Sequence, residues 1–362
     1  GEYAAIGRPS LYSSLAEAAY LTGVERNADK VQMVSYAPLI ENAAHGKDHL
    51  LVLKNDSVYG RTNYYVLKMF SENRPDVNLH TDLKPASPEP VFRTNGFIGL
   101  GTNNTEAQFK DLKVIVNGEE IYTSGWSDFV DKWTIIRGDW KMEGNLLSQS
   151  QKGIDALAIL EDREFDDCTI ELKAKKISGT EGFRIVFGGT DSNNYFMADI
   201  GSHTNESVIF REVNNEGSIS LFDYRNTASI KTDQWYTVRI EIEGAHWKCF
   251  LNDELQYEYT YAPKKKHYVV SGYDRERKEV IVKLVNAEVG NWKVRLQLDK
   301  AKNLVSKGTK IVLGADDRFD ENSFSDPLKI VPKVTELSGI SNEFTIDCQA
   351  NSLTVLRIPC EK

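Results

Sequence analysis

One carboxylate and one group of polar residues in this sequence of 362 residues have types and positions that could do chemistry. The carboxylate is that of Glu2, which ends a short strand pattern shortly before a helix pattern. If that strand belongs to a (β/α)8 barrel, Glu2 lies at its C-terminal end, where the catalytic groups of such barrels lie. Retaining hydrolysis of a glycosidic bond needs two carboxylates about 5 Å apart, a nucleophile and an acid/base. Taken alone, Glu2 is more simply interpreted as a solvated residue near a terminus.

The group of polar residues lies near the turns of a β-rich middle region and could form a shallow sugar-binding site. Its members are Arg184, Asn194, Tyr195 and His203. The alternative is that these side chains only hold turns. Asp191 and Asn193 could contribute to a calcium site, but the sequence has no DxDxDG-type loop and no HxxxH or HExxH pattern. We therefore predict no metal site.

The elements that would position the carboxylate of Glu2 follow it directly in the chain. A helix pattern begins after Ser10, which can cap its N-terminus, and can end at Gly23 or Asn27. The apolar run of residues 31–39 has the length of a strand. This order of strand, helix and strand is the βα repeat of a parallel sheet.

A second helix pattern precedes an abrupt change of sequence character. Ser57 or Gly60 can open this helix, and Pro75 stops it. A parallel strand pair needs further neighbours and cover on both faces, so two βα units cannot stand alone. Residues 1–75 are therefore predicted to be part of a larger α/β structure.

From residue 91 to residue 260 nearly every segment is short and strand-like. Fourteen such runs are separated by Gly, Asn and Asp turns, and several alternate, as in residues 169–175 and 236–243. Apolar-in, polar-out alternation is typical of antiparallel sheets with one solvated face. The pattern predicts a large jelly-roll β-sandwich. Trp235 and Trp247 lie within alternating strands and are interpreted as core residues.

The last part of the chain has the pattern of a second, smaller β-sandwich. A strand pattern near residues 76–83 can belong to it, so that the jelly roll is inserted between that strand and the rest. The fold class is therefore mainly β, with an α/β portion at the N-terminus. The predicted divisions are residues 1–75, 76–89, 90–263 and 264–362.

Composition and charge exclude several kinds of partner. The net charge of −9 and the pI near 5.4 argue against nucleic acid or an anionic membrane. The sequence has no run of about 18 apolar residues, so we predict no membrane insertion. The four cysteines lack CxxC spacing and can be buried free thiols, or a pair such as Cys168 and Cys249 can form a disulfide.

Long motifs at both ends of the chain carry a family resemblance. Those near the start are GEYA (1–4), SLAEAAYLTGVERNAD (14–29), VSYAPL (34–39) and YGRTNYYVLKMF (59–70). Those near the end are DENSFSDPLKIVP (320–332) and SLTVLRI (352–358). They resemble the glycoside hydrolase family 51 α-L-arabinofuranosidases. The resemblance implies that residues 1–75 are the end of a catalytic (β/α)8 barrel, a barrel remnant, and that the chain ends in the family's C-terminal β-sandwich.

The resemblance also implies roles for individual residues. Glu2 matches the family's nucleophile, whereas the family's acid/base lies on an earlier strand, in an Asn-Glu pair, that does not precede residue 1 of this sequence. The stretch HGKDHLLVLKND (45–56) also lacks the family's Trp and Pro before the final barrel helix. We therefore expect this chain by itself to be inactive, with pairing to the missing barrel portion as one possible interaction. The whole enzyme would remove terminal α-L-arabinofuranosyl groups from arabinan or arabinoxylan, with retention and without a cofactor, outside the cell or in the periplasm.

The middle region carries a second resemblance. Residues 179–201 and 233–259 are similar to a concanavalin/laminin-G-type jelly roll, which is appended to many polysaccharide hydrolases. The hairpin of residues 96–114 normally ends such a domain but comes first in this chain, so we predict a permuted fold in which it pairs beside residues 246–261. The alternative function is a non-catalytic carbohydrate-binding module that acts through the jelly roll.

Overall fold

A computed structural model describes residues 2–4, 9–45, 50–85, 91–124, 126, 129–215, 217–221, 228–299 and 301–360. The chain forms two compact units. Unit 1 consists of Gly1–Pro88 and Lys264–Lys362, and unit 2 of Glu89–Pro263. Unit 2 is thus inserted, in sequence, between the two segments of unit 1.

The first segment of unit 1 combines helices with short strands, whereas the rest of the chain is almost entirely strands. The first segment contains β1 (Glu2–Tyr3), α1 (Leu11–Arg26), β2 (Ser35–Tyr36), β3 (Ile40–Asn42), a 3-10 helix (Ala43–His45), β4 (Leu51–Lys54), β5 (Ser57–Gly60), α2 (Thr62–Glu72) and β6 (Val77–Leu79). Unit 2 contains β7 (Gly96–Asn103), β8 (Thr105–Val116), β9 (Glu119–Ser124), α3 (Phe129–Lys132), β10 (Trp133–Arg137), β11 (Trp140–Glu143), β12 (Leu146–Gln149), β13 (Asp155–Phe165), β14 (Cys168–Gly179), β15 (Phe183–Asp191), β16 (Asn194–Gly201), β17 (Ser207–Asn214), β18 (Gly217–Leu221), β19 (Trp235–Glu243), β20 (His246–Leu251) and β21 (Glu254–Thr260). The second segment of unit 1 contains β22 (His267–Asp274), β23 (Glu279–Asn286), β24 (Trp292–Gln297), β25 (Lys307–Gly314), β26 (Lys333–Ser338), β27 (Glu343–Cys348) and β28 (Ser352–Pro359).

Helix α1 follows its local signals at both ends. The Ser10 hydroxyl accepts from the backbone N of Ser13 at 3.4 Å, and the Ser13 hydroxyl accepts from the backbone N of Ser10 at 3.0 Å. This reciprocal pair satisfies two N–H groups that the first turn leaves unbonded. Asn27 is the C-cap residue, so the predicted start and one of the two predicted ends are confirmed.

The remaining α/β elements differ in part from the prediction. Helix α2 begins at Thr62, whereas Ser57, one of the two predicted starts, lies in β5. The N-cap residue of α2 is Arg61, which makes no side-chain cap hydrogen bond. The apolar run of residues 31–39 forms only the two-residue strand β2, because its partner β1 also spans two residues. Within the divergent stretch 45–56, residues 46–49 and the side chain of residue 45 lie outside the described part of the structure.

The sandwich of unit 1 is built on a six-stranded sheet in the order β26-β25-β28-β23-β22-β6. Strands β24 and β27 form a separate pair. Alternate residues of β28 enter two cores: Leu353 and Val355 pack with the helices, and Leu356 and Ile358 pack in the cluster that includes β24 and β27 residues. Both faces of the central strands are therefore covered, which explains why β28 is buried along nearly its whole length. Strand β6 pairs with β22, which places Val77–Leu79 in this sheet.

Unit 2 is a sandwich of two antiparallel sheets. One has seven strands in the order β10-β13-β7-β15-β16-β17-β18, and the other has eight, β11-β12-β8-β14-β19-β20-β21 with β9 paired to β8. Its core cluster combines residues of both sheets, and Trp247 is fully buried within it. The Nε1 atom of Trp247 donates to the Thr94 hydroxyl at 2.7 Å, so the indole N–H keeps a partner in the core. The mainly β fold class is confirmed.

Two predictions for unit 2 are wrong. Strands β7 and β8 do not form a hairpin beside the last strand: they lie in different sheets, and β14 and β19 separate β8 from β20. Asn104, with φ of 45°, turns the chain from one sheet to the other. Trp235 is half-buried rather than core, because Tyr236, Val238 and Ile240 occupy the core-facing positions of β19.

Candidate active site

The two short strands of the first segment place Glu2 on the face away from the helices. Strands β1 and β2 are parallel, with Glu2 opposite Ser35 and Tyr3 opposite Tyr36. The Tyr3 ring packs 5.0 Å from that of Tyr20 in α1 and 5.4 Å from that of Tyr36. Neighbouring residues of a strand point to opposite faces, so Glu2 points away from α1, and its side chain is exposed.

A buried polar group supports these strands from the helix side. The Asn63 side-chain amide of α2 donates to Tyr36 Oη at 2.7 Å and to the Glu17 carboxylate of α1 at 3.4 Å. Burial raises the pKa of the Tyr3 phenol, and the nearby Glu17 carboxylate raises it further. Tyr3 therefore stays protonated and acts through packing. The sequence reasoning missed Glu17 and Asn63; the available signal was a polar residue on the buried face of each helix.

A loop of the second segment holds the N-termini of both helices. The backbone N–H groups of Leu11 and Tyr12 donate to the carbonyls of Asp320 and Arg318 at 2.9 and 2.7 Å. The next residue, Glu321, accepts from the backbone N of Thr62 at 2.9 Å. In βα units the helix N-termini follow the C-terminal ends of the strands, so this loop lies at the end where Glu2 lies.

The side chain of Asn322 connects that loop to the first segment through hydrogen bonds. Its side-chain amide donates to the carbonyls of Gly60 and Ile330, at 2.9 and 3.0 Å, and its side-chain oxygen accepts from the backbone N of Ile330 at 2.8 Å. All three bonds are buried. The motif that begins at Asp320 thus acts as a structural clamp, a role that sequence reasoning did not identify.

Two of the predicted sugar-binding residues of unit 2, Arg184 and Asn194, lie at opposite ends of one strand pair. Arg184 and Asp199 are cross-strand partners near one end of the β15–β16 pair, whereas Asn194 faces Asp191 at the turn at the other end. Asp199 is the fifth residue after Asn194, which places it about 17 Å farther along the strand. The Asn194 amide donates to both carboxylate oxygens of Asp191 at 2.9 Å, so it holds the turn.

Arg184 belongs to a buried ion-pair network. Its guanidinium bonds Asp199 at 3.1 Å and Asp155 at 2.6 Å, and Arg211 bonds the second oxygen of Asp199 at 2.6 Å. Burial alone would raise the pKa of the Asp199 carboxyl, but the two arginines lower it below its ordinary value. The donors of Arg184 are thus directed at protein carboxylates.

The two other predicted residues lie beside this network. Tyr195 is buried, and burial raises the pKa of its phenol. His203 is exposed in a left-handed turn, with φ of 51°, and its Nδ1 lies 3.0 Å from the Ser207 hydroxyl. Asp191 accepts from the backbone N of Asn193 at 2.8 Å, so this pair also holds a turn. Among the described residues, no group of three or more His, Cys, Asp or Glu side chains could hold a metal ion.

Comparison with known proteins identifies the family of this chain. A family model described as the α-L-arabinofuranosidase C-terminal domain matches residues 2–352. The chain belongs to this family. No helix in the described part of the chain has the length and apolar composition needed to cross a membrane.

Individual relatives are similar to this chain over different spans. The extracellular exo-α-L-arabinofuranosidase of Streptomyces chartreusis is 28% identical over 99% of this chain and 43% of that protein. α-L-Arabinofuranosidase 1 of Arabidopsis thaliana is 32% identical over 49% of this chain and 28% of that protein. The arabinose complex of the Thermotoga maritima α-L-arabinofuranosidase aligns with a TM-score of 0.42 at 9% identity, over 98% of this chain and 42% of that one. The chain thus spans less than half the length of these relatives.

Proposed function

We propose that this chain is the C-terminal portion of a retaining α-L-arabinofuranosidase. The whole enzyme removes non-reducing terminal α-L-arabinofuranosyl groups from arabinan or arabinoxylan, outside the cell or in the periplasm. The Glu2 carboxylate attacks the anomeric carbon while an acid protonates the departing glycosidic oxygen. Water then hydrolyses the glycosyl-enzyme ester and the former acid acts as base. No cofactor takes part in these steps.

The orientation of Glu2 is the observation that carries this proposal. Glu2 and Ser35 lie side by side on the face of the β1–β2 pair that is turned away from helix α1. In a (β/α)8 barrel that face is the interior, and the catalytic groups lie at the C-terminal ends of the strands. The exposure of Glu2 and its position just before the loop to α1 support its assignment as the nucleophile.

The acid/base carboxylate belongs, in this proposal, to a barrel portion outside the 362 residues. Two βα units cannot close a barrel, because closure needs the tilt and stagger of a full set of strands. Strand β1 pairs only with β2 among the described strands, so its other edge is open for the neighbouring barrel strand. The 362 residues by themselves are therefore expected to lack hydrolase activity.

Arabinose release from p-nitrophenyl α-L-arabinofuranoside tests both parts of the proposal. The complete gene product should release arabinose, and the 362 residues alone should not. Glu2→Gln in the complete product should lower kcat/KM by about a thousandfold or more. Glu72→Gln, at an exposed position on α2, is the matched control and should leave the rate unchanged. Full activity of Glu2→Gln would contradict the nucleophile assignment, and activity of the 362 residues alone would contradict their incompleteness.

Carbohydrate binding by unit 2 is a second candidate function. The observation that favours it is Trp235, a half-buried tryptophan on the solvent face of the eight-stranded sheet. Arg184 gives weaker support for sugar binding, because its guanidinium already donates to Asp155 and Asp199. Titration of the isolated chain with arabino-oligosaccharides should release heat if unit 2 binds neutral sugar, and no heat would contradict this candidate.

A further inference from the structure

Trp235 is surrounded by lysines on the outer face of the eight-stranded sheet. The Nζ atom of Lys110 lies 4.3 Å from the centroid of the Trp235 ring, and that of Lys175 lies 5.1 Å from it. Lys175 is the cross-strand partner of Trp235, and Lys110 reaches the ring from β8, across β14. Lys173 lies on the same face of β14, directly opposite Lys110. We call these four residues the Trp235 patch.

The positive charge of the Trp235 patch is incompletely neutralised. Lys173 forms an ion pair with Asp111 at 3.3 Å. Lys110 and Lys175 form no ion pair with any carboxylate in the described part of the chain. Like charges directly opposite each other on a sheet are destabilising. Three ammonium groups around one carboxylate therefore repel each other, although the net charge of the whole chain is −9. A bound anion would reduce this repulsion.

A second ring with a cation over it lies farther along the same face. The guanidinium of Arg239 lies 3.8 Å from the centroid of the Phe250 ring. Arg239 is four residues from Trp235 on β19, or about 13 Å along the strand. Arg239 is also paired with Glu241, so the Trp235 patch is the stronger anion site. Two such rings at this separation suit an extended polymer better than a single sugar.

We propose that the Trp235 patch binds a uronic acid residue of an acidic polysaccharide. The ammonium groups of Lys110 and Lys175, which lie over the Trp235 ring, bind the carboxylate of the sugar, and the apolar C–H groups of the sugar contact the edge of the indole beside them. Duplex DNA carries one charge per about 1.7 Å of its axis, and an acidic polysaccharide carries fewer charges per unit length, so the polysaccharide suits a small cationic patch on a protein of net charge −9 better. The choice of a polysaccharide rests on the proposed function, since the substrate proposed for the whole enzyme is itself a polysaccharide.

Polygalacturonate is a suitable probe because it carries carboxylates and no arabinose. In calorimetric titrations at low ionic strength, the chain should bind polygalacturonate and should bind its fully methyl-esterified form at least roughly tenfold more weakly. Lys110→Ala/Lys175→Ala should weaken binding of polygalacturonate roughly tenfold. Polygalacturonate should change the tryptophan emission of the wild-type chain, and this change should be absent in Trp235→Phe.

A matched pair of substitutions separates the patch from the overall charge. Lys141→Ala/Lys307→Ala changes the net charge equally at two exposed lysines that are each paired with a glutamate, and it should leave binding unchanged. If the alanine pair unfolds, Lys110→Gln/Lys175→Gln keeps most of the aliphatic stems and takes its place. Equal binding of the esterified polymer, equal weakening by the control pair, or no binding by the wild-type chain would each overturn the proposal. Because the probe contains no arabinose, none of these results depends on arabinofuranosidase activity.

Discussion

Glu321 caps a helix that begins 259 residues earlier in the chain. Its carboxylate accepts from the backbone N of Thr62 at 2.9 Å and from the Thr62 hydroxyl at 3.0 Å. The Thr62 hydroxyl also lies 2.7 Å from that of Ser14 in α1. Since the local N-cap residue of α2 makes no cap bond, the second segment of unit 1 completes the helices of the first.

Loss of the Glu321 carboxylate should loosen helix α2. We expect Glu321→Ala to lower the free energy of unfolding by about 1–2 kcal/mol, the usual effect of losing an N-cap. Glu321→Gln should have a smaller effect, because its amide oxygen can still accept from Thr62. Burial raises the pKa of Glu321, although its hydrogen bonds with Thr62 and Asn322 act in the opposite direction.

Thermal unfolding and hydrogen exchange of the α2 amides measure this effect. Glu336→Ala, at an exposed residue paired with Lys307, is the control and should leave both unchanged. Wild-type protection of the α2 amides in Glu321→Ala would show that the cap does not act as described.

The buried pair of Lys283 and Glu25 gives a second prediction. Lys283 is 1% exposed, bonds the Glu25 carboxylate and lies 4.6 Å from the centroid of the Phe70 ring. Burial lowers the pKa of Lys283 and raises that of Glu25. We expect Lys283→Met to lower the free energy of unfolding by about 3 kcal/mol, because a partly buried carboxylate loses its partner.

A double variant distinguishes a lost ion pair from poor packing. Lys283→Met/Glu25→Leu should recover most of the stability lost in Lys283→Met, since an apolar pair of similar volume can replace a buried ion pair. Urea unfolding followed by circular dichroism gives the two values. A double variant as unstable as the single one would indicate that packing, not charge, causes the loss.

Acid should weaken unit 2 through Asp199. Arg184 and Arg211 lower the pKa of its carboxyl below the ordinary 3.8, although burial acts in the opposite direction. A carboxyl with a lowered folded-state pKa contributes stability that is fully present above about pH 4 and is lost as the pH falls through the folded-state value. We expect Asp199→Asn to cost about 3 kcal/mol at pH 7, because two arginines lose their shared partner.

The pH dependence provides the diagnostic measurement for this network. The stability difference between wild type and Asp199→Asn should shrink below about pH 4. Tryptophan emission during urea unfolding reports on unit 2, which contains every tryptophan except Trp292. Asp139→Asn, at an exposed position in the same unit, is the control. A difference that is constant between pH 7 and pH 3 would rule out the ionic contribution.

The cysteines should be unreactive in the folded chain. All four are buried and free. Burial raises the pKa of Cys168 to about 12 and that of Cys348 to about 11, and it also raises the pKa of Cys249. Because the thiolate is the reactive species, Ellman's reagent should label the native chain very slowly. In denaturant without reductant, the reagent should label all four thiols. Labelling of only two thiols under that condition would indicate a disulfide.

Local sequence signals were sufficient for elements whose partners are near in the chain. The Ser10 cap and the Asn27 end of α1 depend on contacts within four residues, so residue types alone predicted them. The alternation in β14 and in residues 236–243 of β19 likewise predicted which residues face the core, because a strand reverses side-chain direction at every residue, whereas Trp235 was wrongly assigned to the core. The resemblance of the two ends of the chain predicted the family.

Only the tertiary structure decided features that join distant residues. The cap of α2 comes from Glu321, which no pattern near Thr62 reveals. Strand β19 lies between the strands of Cys168 and Cys249, which puts these strands about 10 Å apart and excludes the disulfide that spacing left open. The sequence by itself thus determined the local elements and the family. Strand order and long-range hydrogen bonds decided which side chains meet, because these contacts depend on folding of the whole unit.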